Sequence, residues 1–178
     1  MKLTKEKQEN TVAALAQFGY KNKLAAPRLT KIVVATGTGS GMKKDREKNN
    51  TVADRLAKIT GQKASLRHAK QSVAQFKIRT GDPIGLAVTL RGARMQHFLD
   101  KMIHVALPRT KDFRGLDRKA VDSIGNMTIG IKEHTIFPET ADEDLRDVFG
   151  LAVTLVTTAK TKAEAVAFFE HLGIPFKK

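Results

Sequence analysis

The sequence predicts an α+β fold, a two-layer sandwich in which helices pack on one face of a mainly antiparallel sheet. Predicted helices and strands interleave without the strict alternation that a parallel sheet requires. Residues 86–91 alternate apolar and polar side chains, as a strand with one buried face does. Residues 95–103 instead repeat apolar side chains with the helical period.

The first third of the chain predicts two helices and two strands. A helix over 4–18, with Thr4 as its cap, precedes a strand over 31–36 that is rich in β-branched side chains. That strand enters a glycine-rich turn, and a helix over 45–60 follows. A short strand over 64–68 completes this part.

The middle of the chain predicts an exposed loop and a strand with two different faces. Residues 70–83 are interpreted as a long loop or an exposed hairpin. In the strand over 86–91, one face is apolar and meets the helices. The other face is predicted to be uncovered and is either an RNA platform or a solvated surface; it carries Ala87, Thr89 and Arg91.

The remaining elements follow from periodicity and capping. The helix that begins near Met95 is predicted to end at Pro108, and a charged loop fills 109–122. Strands are predicted over 127–131 and 151–157, with an acidic stretch over 139–147 between them. The last helix begins at a capping box, Thr161 to Glu164, and stops at Gly173.

Length and composition exclude several classes of protein. A chain of 178 residues predicts a single domain, over 1–178, with loops protruding near 70–83 and 109–122. The absence of cysteine excludes disulfides, thiolate metal sites and cysteine nucleophiles. No apolar run is long enough for a membrane span, and the N-terminus lacks the apolar core of a signal peptide. We therefore expect a cytoplasmic protein with no membrane partner.

The charge predicts a polyanionic partner. Residues 1–120 contain 26 basic and 9 acidic side chains, whereas residues 121–178 contain 6 and 9. Nucleic acid relieves the self-repulsion of such a basic segment. A membrane surface or an acidic protein is the alternative that charge alone leaves open.

The motifs do not support catalysis. The glycine-rich turn after the first strand lacks the third glycine of a dinucleotide site and the Gly-Lys-Ser/Thr of a phosphate-binding loop. It is therefore either a turn that needs positive φ or a backbone exposed to phosphate. The five histidines lack metal-binding spacing, and the acidic residues cluster only in a polar stretch. No catalytic residue, metal, cofactor or small-molecule substrate is predicted.

Two loops interleave basic and aromatic side chains, a pattern that suits RNA backbones and unstacked bases. The first surrounds Phe76 and the second, over 109–119, surrounds Phe113. The alternative is that each phenylalanine only pins its loop to the core.

Many short segments along the chain form one recognisable set. In chain order these segments are KIVV (31–34), TGQK (60–63), FKIR (76–79), PIG (83–85), VTLRG (88–92), ALPR (106–109), DFRG (112–115), GIKE (130–133), FPE (137–139) and VTTAKT (156–161). Each segment is weak alone, but their order covers nearly the whole chain. Together they resemble one known family, the bacterial large-subunit ribosomal protein L5 family, whose members bind 5S rRNA in the central protuberance.

The resemblance implies a non-enzymatic ribosomal protein with a sheet and helices on one side. The implied partners are 5S rRNA, large-subunit rRNA and neighbouring ribosomal proteins, P-site tRNA and the small-subunit head protein S13. Together with the glycine turn, the expected 5S rRNA-binding residues are Lys31, Gly37, Gly39, Gln62, Lys63, Thr89 and Arg91. The expected tRNA-facing loop carries Lys70, Phe76, Lys77 and Arg79.

One position departs from the family. Ala35 stands where the family commonly has asparagine, so an amide that could bond RNA is replaced by a methyl group. Two other functions remain open at this point. One is a charge-driven RNA-binding protein without specificity, and the other is a nucleotide-binding enzyme that uses the glycine turn.

Overall fold

The structure is a computed structural model, which describes residues 6–7, 10–15, 18–20, 22, 24–39, 48–141 and 148–177. The strands are β1 Leu29–Gly37, β2 Ser65–His68, β3 Pro83–Leu90, β4 Met127–Ile131 and β5 Leu151–Thr157. The α-helices are α1 Thr11–Ala14, α2 Lys48–Thr60, α3 Gly92–Lys101 and α4 Lys162–Leu172. A π-helix, Met102–Ala106, continues α3, and short 3₁₀ turns span Arg118–Ala120, His134–Ile136 and Pro138–Thr140.

The strands form one antiparallel sheet in the order β2-β3-β1-β5-β4, and helices pack on it. This confirms the predicted α+β fold. Strands β4 and β5 bury every second side chain, because successive residues of a strand point to opposite faces of the sheet. In the described part of the chain, no helix has the length and apolar character needed to cross a membrane.

Several predicted boundaries differ from the observed ones, and three of these differences change how a segment is assigned. Residues 10 and 15 are turns, so the described part of the predicted helix over 4–18 is divided into residues 6–7 and α1, and its cap at Thr4 lies outside the described residues. Asn10 is the N-cap of α1, and its side chain makes no capping hydrogen bond. Pro83 begins β3 and does not end the loop. Arg91 is the N-cap of α3 and not a strand residue, because Gly92 starts the helix instead of a loop.

The chain divides into two compact units. The first consists of Met1–Ile32, Leu90–Ile129 and Val153–Lys178, and the second consists of Val33–Thr89 and Gly130–Ala152. In the first unit, α1 contacts α4, whose Phe168 and Phe169 are fully buried. In the second unit, α2 packs against Pro138–Thr140.

The capping box that begins α4 is confirmed in a modified form. The Thr161 hydroxyl accepts the Glu164 N–H, as predicted, but the Glu164 carboxylate accepts the N–H of Lys160 (3.0 Å). Its other oxygen accepts the hydroxyl of Tyr20. Glu164 is therefore a buried carboxylate that joins the helix start to an earlier segment of the same unit. Gly173, at φ +95°, ends the helix where predicted.

The Tyr20 contact predicts a stability change at high pH. The hydrogen bond to Glu164, followed by burial and by the negative charge of Glu164, raises the pKa of Tyr20 from 10.0 to about 12. The folded state therefore holds the phenolic proton more tightly than the unfolded state, so the stabilisation is complete below pH 10 and is lost as the pH rises towards 12. We expect Tyr20→Phe to cost about 1.5 kcal/mol below pH 10, the lower value for a hydrogen bond to a charged group.

Urea unfolding of the wild type and of Tyr20→Phe, followed at several pH values, measures this effect. The two stabilities are expected to converge as the pH approaches 12. A constant difference across that range would show that the hydroxyl does not titrate as the structure implies.

Candidate RNA-binding surface

The residues predicted to bind RNA lie at separate places. Gly37, Gly39, Gln62, Lys63 and Thr89 belong to the second unit, as does the expected tRNA-facing loop. Lys31, half-buried on β1, and Arg91, exposed at the start of α3, belong to the first unit. Within the second unit, the glycines and the other three residues form two clusters at opposite ends of β3.

The first group, which we call the Gln62 cluster, consists of Gln62, Lys63 and Thr89. Helix α2 ends just before it. The N–H of Gly61, at φ +67°, donates to the carbonyl of Ala57 at 2.7 Å, and glycine adopts this left-handed conformation at little cost. The Thr60 hydroxyl donates to the Leu56 carbonyl at 2.6 Å and accepts the N–H of Gln62.

The Gln62 side chain then reaches the neighbouring strand. Its amide Nε2 donates to the Thr89 carbonyl at 3.3 Å, and Gln62 and Thr89 are both half-buried. Lys63 beside them is exposed. The cluster therefore presents an oriented amide, a hydroxyl and a cation.

The second group, the glycine cluster, consists of Gly37 and Gly39. The N–H of Thr38 between them donates to the carbonyl of Ile84 at 2.9 Å, so this cluster lies beside the start of β3. Ile84 and Thr89 are five residues apart, which separates the two clusters by about 17 Å at the rise of a strand. Only the fold could reveal this separation.

Neither glycine has positive φ, so the interpretation of these two residues as a left-handed turn was wrong. A Cβ atom on the exposed Gly37 would meet nothing within 4 Å, whereas one on Gly39 would touch Ile84 at 3.7 Å. Gly37 is thus the glycine that leaves the backbone open to a partner. Gly41 and the basic residues Lys43, Lys44 and Arg46 lie outside the described residues.

The predicted uncovered face of β3 is only partly present. Leu86, Val88 and Leu90 are buried, as predicted, but Ala87 is also buried, at 6% exposure. Strands flank β3 on both sides, and a single methyl group between them leaves little accessible surface. The polar part of this face in β3 is therefore limited to Thr89. On β1, Ala35 is half-buried.

The segment over 70–82 is a hairpin, one of the two forms that its sequence suggested. Val73 and Ile78 exchange backbone hydrogen bonds at 2.9 and 3.2 Å, and the N–H of Lys77 closes a turn on the Ala74 carbonyl. Phe76 is 65% exposed at the tip, which overturns the interpretation that it pins the loop to the core. The hairpin exposes Lys70, Lys77 and Arg79.

The hairpin continues from β2, an edge strand whose four residues are all exposed. The sequence analysis did not single out Arg67 on this strand. The segment from residue 62 to residue 82 contains five basic residues but only one acidic residue, Asp82. The Asp82 carboxylate accepts a hydrogen bond from the backbone N–H of Arg79 at 2.8 Å. This excess of positive charge was the signal that could have identified Arg67.

The second basic loop, over 109–119, is bonded to the C-terminal part of the chain, unlike the hairpin over 70–82. Leu116 donates to the Pro175 carbonyl at 2.8 Å, and Arg118 pairs with Glu170 at 2.8 Å. Phe113 is half-buried. Part of the charge of this loop is therefore neutralised within the protein.

The described residues contain no cluster of three or more histidine or acidic side chains that could hold a metal ion. Of the acidic stretch over 139–147, only the exposed Glu139 among the charged residues is described. The arrangement as a whole consists of hydrogen-bonding groups, cations and one exposed aromatic ring, which suits binding to RNA.

Two family models match the chain. Residues 22–79 match the family described as "Ribosomal protein L5", and residues 83–176 match the model that describes the C-terminus of the same ribosomal family. The chain is 47% identical over 173 residues to "Large ribosomal subunit protein uL5" of Symbiobacterium thermophilum, covering 97% of this chain and 96% of that one. It is 46% identical to the proteins of the same name in Carboxydothermus hydrogenoformans, covering 98% of each chain, and in Thermotoga maritima, covering 96% of this chain and 92% of that one.

Proposed function

Because this chain belongs to the L5 family of large-subunit ribosomal proteins, we propose that it binds 5S rRNA through the Gln62 cluster and Gly37. Membership makes it a structural, non-enzymatic component of the ribosome in the cytoplasm. Its function is therefore to bind and position RNA, and no catalytic step is assigned to it.

The hydrogen bond from Gln62 to the Thr89 carbonyl is the observation that carries the 5S rRNA proposal. This bond fixes the direction of the amide before RNA arrives, which lowers the entropic cost of binding. The amide oxygen and the Thr89 hydroxyl suit the 2′-hydroxyls and base edges displayed in the wide minor groove of an RNA helix. Lys63, and Arg91 in the first unit, supply charge for the phosphates.

The glycine cluster supports a second contact with the same RNA. A separation of about 17 Å allows the two clusters to contact different positions along one RNA duplex. At Gly37, the open backbone allows a phosphate or ribose to approach more closely than any side chain would permit. Lys31, on the same strand but in the first unit, adds a cation to this set of proposed contacts.

The hairpin over 70–82 is proposed to contact P-site tRNA. Its exposed Phe76 can stack on a base or ribose, while Lys70, Lys77 and Arg79 bind phosphates. The backbone bonds between Val73 and Ile78, and from Lys77 to Ala74, close the hairpin around Phe76.

A contact with the small-subunit head protein S13 is the third proposed interaction. The acidic stretch over 139–147 supports it, because this stretch has the charge that a basic partner protein requires. The resemblance also implies contacts with large-subunit rRNA and neighbouring ribosomal proteins.

Gly37→Val provides the test for 5S rRNA binding. The added side chain has open space within the protein, so the fold is expected to remain stable while the branched side chain blocks the RNA backbone. We expect 5S rRNA affinity to fall about tenfold, or 1.4 kcal/mol. The matched control is Gly130→Val, because Gly130 is an exposed sheet glycine with no atom within 4 Å of its Cβ position and it lies outside the proposed surface.

The same titration includes a structured RNA of equal length, at several salt concentrations. Specific binding predicts at least a hundredfold preference for 5S rRNA, about 2.7 kcal/mol, which Gln62→Ala and Arg91→Ala reduce. Equal affinity for both RNAs would support the non-specific, charge-driven alternative. Equal losses for Gly37→Val and Gly130→Val would remove Gly37 from the surface.

A further inference from the structure

Strand β2, Ser65–His68, leaves one edge of the sheet open. It is the outermost strand and pairs with β3 on one side; within the described part of the chain, no strand pairs with its other side. All four of its residues are exposed, including Leu66, whose exposed fraction is 50%. An open edge of this kind offers backbone donors and acceptors to a strand of another molecule.

The backbone groups that face outward from this edge belong to Leu66 and His68. Ala69, directly after the strand, directs both of its groups inward: its N–H donates to the Asp82 carbonyl at 2.8 Å, and its carbonyl accepts the Gly81 N–H at 3.0 Å. Because successive residues of an antiparallel strand direct these groups to alternate sides, those of Leu66 and His68 point away from β3. The residue opposite His68 is a proline, which has no N–H to donate to it.

The side chains of β2 give this edge two different faces. Leu66 lies opposite Leu86, a buried residue of β3, and it extends that apolar face outward to the edge. Arg67 points to the other face, because side chains alternate along a strand. A strand that pairs here in the antiparallel direction therefore fits best with an apolar side chain opposite Leu66 and an acidic one opposite Arg67.

The charge of this edge selects the kind of strand that it accepts. From residue 62 to residue 81 the chain has five basic and no acidic side chains. A second copy of this chain would bring the same basic residues to the edge, and like charges on facing strands destabilise a sheet. A phosphate backbone accepts hydrogen bonds from the outward N–H groups but does not donate to the outward carbonyls, whereas a peptide strand does both.

We infer that β2 binds an extended acidic segment of a partner protein, which adds to the sheet as a further antiparallel strand. In antiparallel pairing, directly opposed residues exchange both backbone hydrogen bonds, so Leu66 and His68 each bond to an apolar residue of the segment. The acidic residues that alternate with these lie on the same face as Arg67. This site recognises a protein, and it does not depend on the proposed binding of 5S rRNA.

The test uses the intact chain and a labelled seven-residue peptide in which glutamate and valine alternate, with both ends blocked. Two further peptides carry N-methyl groups, on the valine amides in one and on the glutamate amides in the other. Methylation of the valines is expected to lower affinity at least tenfold, because their N–H groups donate to the carbonyls of Leu66 and His68. Methylation of the glutamates should change affinity less than twofold, since their N–H groups face away from β2.

Two protein variants and one exchange measurement locate the site. Arg67→Glu is expected to weaken binding of the unmethylated peptide about tenfold, since it replaces an attraction with a repulsion. Lys132→Glu is the matched control, because Lys132 is exposed and directly follows β4, at the other edge of the sheet; it should change affinity less than twofold. In the complex, the backbone amides of Leu66 and His68 should exchange their hydrogens more slowly.

Equal affinities for the two methylated peptides overturn the inference, because they would show attraction by charge without strand pairing. Equal losses in Arg67→Glu and Lys132→Glu also overturn it. If a seven-nucleotide single-stranded RNA binds through Arg67 and the peptide does not, the edge binds nucleic acid and the protein assignment is wrong. Self-association that protects the same two amides would make the occupant a second copy. Binding of 5S rRNA is measured separately with Gly37→Val, so failure here leaves the proposed function standing.

Discussion

Gly85→Ala is expected to destabilise the protein by about 1 to 3 kcal/mol, the range for overpacking a well-packed site. A Cβ atom at Gly85 would lie 2.8 Å from the carbonyl oxygen of Thr36, which is closer than real side-chain atoms approach. That oxygen belongs to the backbone of β1, so neither strand can yield without changing its hydrogen bonds. Urea denaturation should therefore show a lower midpoint with an unchanged slope.

Gly130→Ala is the control for this substitution. Gly130 also lies in a strand, but its Cβ position is open, so alanine there is expected to be neutral or stabilising by about 0.5 kcal/mol. If the two variants unfold at the same urea concentration, the close approach of β1 and β3 does not prevent residue 85 from carrying a side chain.

Glu164→Ala is expected to cost about 3 kcal/mol. The substitution leaves the Tyr20 hydroxyl and the Lys160 N–H without their acceptor, and hydrogen bonds to charged groups contribute about 1.5 to 3 kcal/mol each. It also empties a buried volume next to the start of α4. Thermal and urea unfolding both measure the loss.

Glu164→Gln separates the two contributions. Glutamine fills nearly the same volume and retains one acceptor oxygen, so it can keep one of the two hydrogen bonds. We expect it to lose about half as much stability as alanine. A loss equal to that of alanine would mean that the negative charge, and not the number of acceptors, stabilises this site.

Local patterns were sufficient for most elements of the fold. Alternation located β4 and β5 to the residue, and the capping threonine and the terminal glycine located both ends of α4. Prediction failed where two patterns compete at one residue. A glycine at position 92 is equally consistent with the end of a strand and with the start of a helix. Its φ of +58° could be known only from the structure.

The candidate site was less predictable, because its members are distant in the sequence. Resemblance to the family suggested Gln62 and Thr89, and the structure adds the hydrogen bond that joins them. Alternation misassigned Ala87, since exposure depends on the neighbouring strands and not on the residue's own segment.

The division of the chain into two discontinuous units has a consequence for biosynthesis. The second unit ends at Ala152. All of its residues are therefore linked before the 26 residues of Val153–Lys178, which belong to the first unit, are added. Domains begin to fold while synthesis continues, at about 5 to 20 residues per second. At that rate, the chain of the second unit, which contains the Gln62 cluster, is complete about one to five seconds before Val153–Lys178 has been added, so the segment that carries Phe168 is synthesised after it.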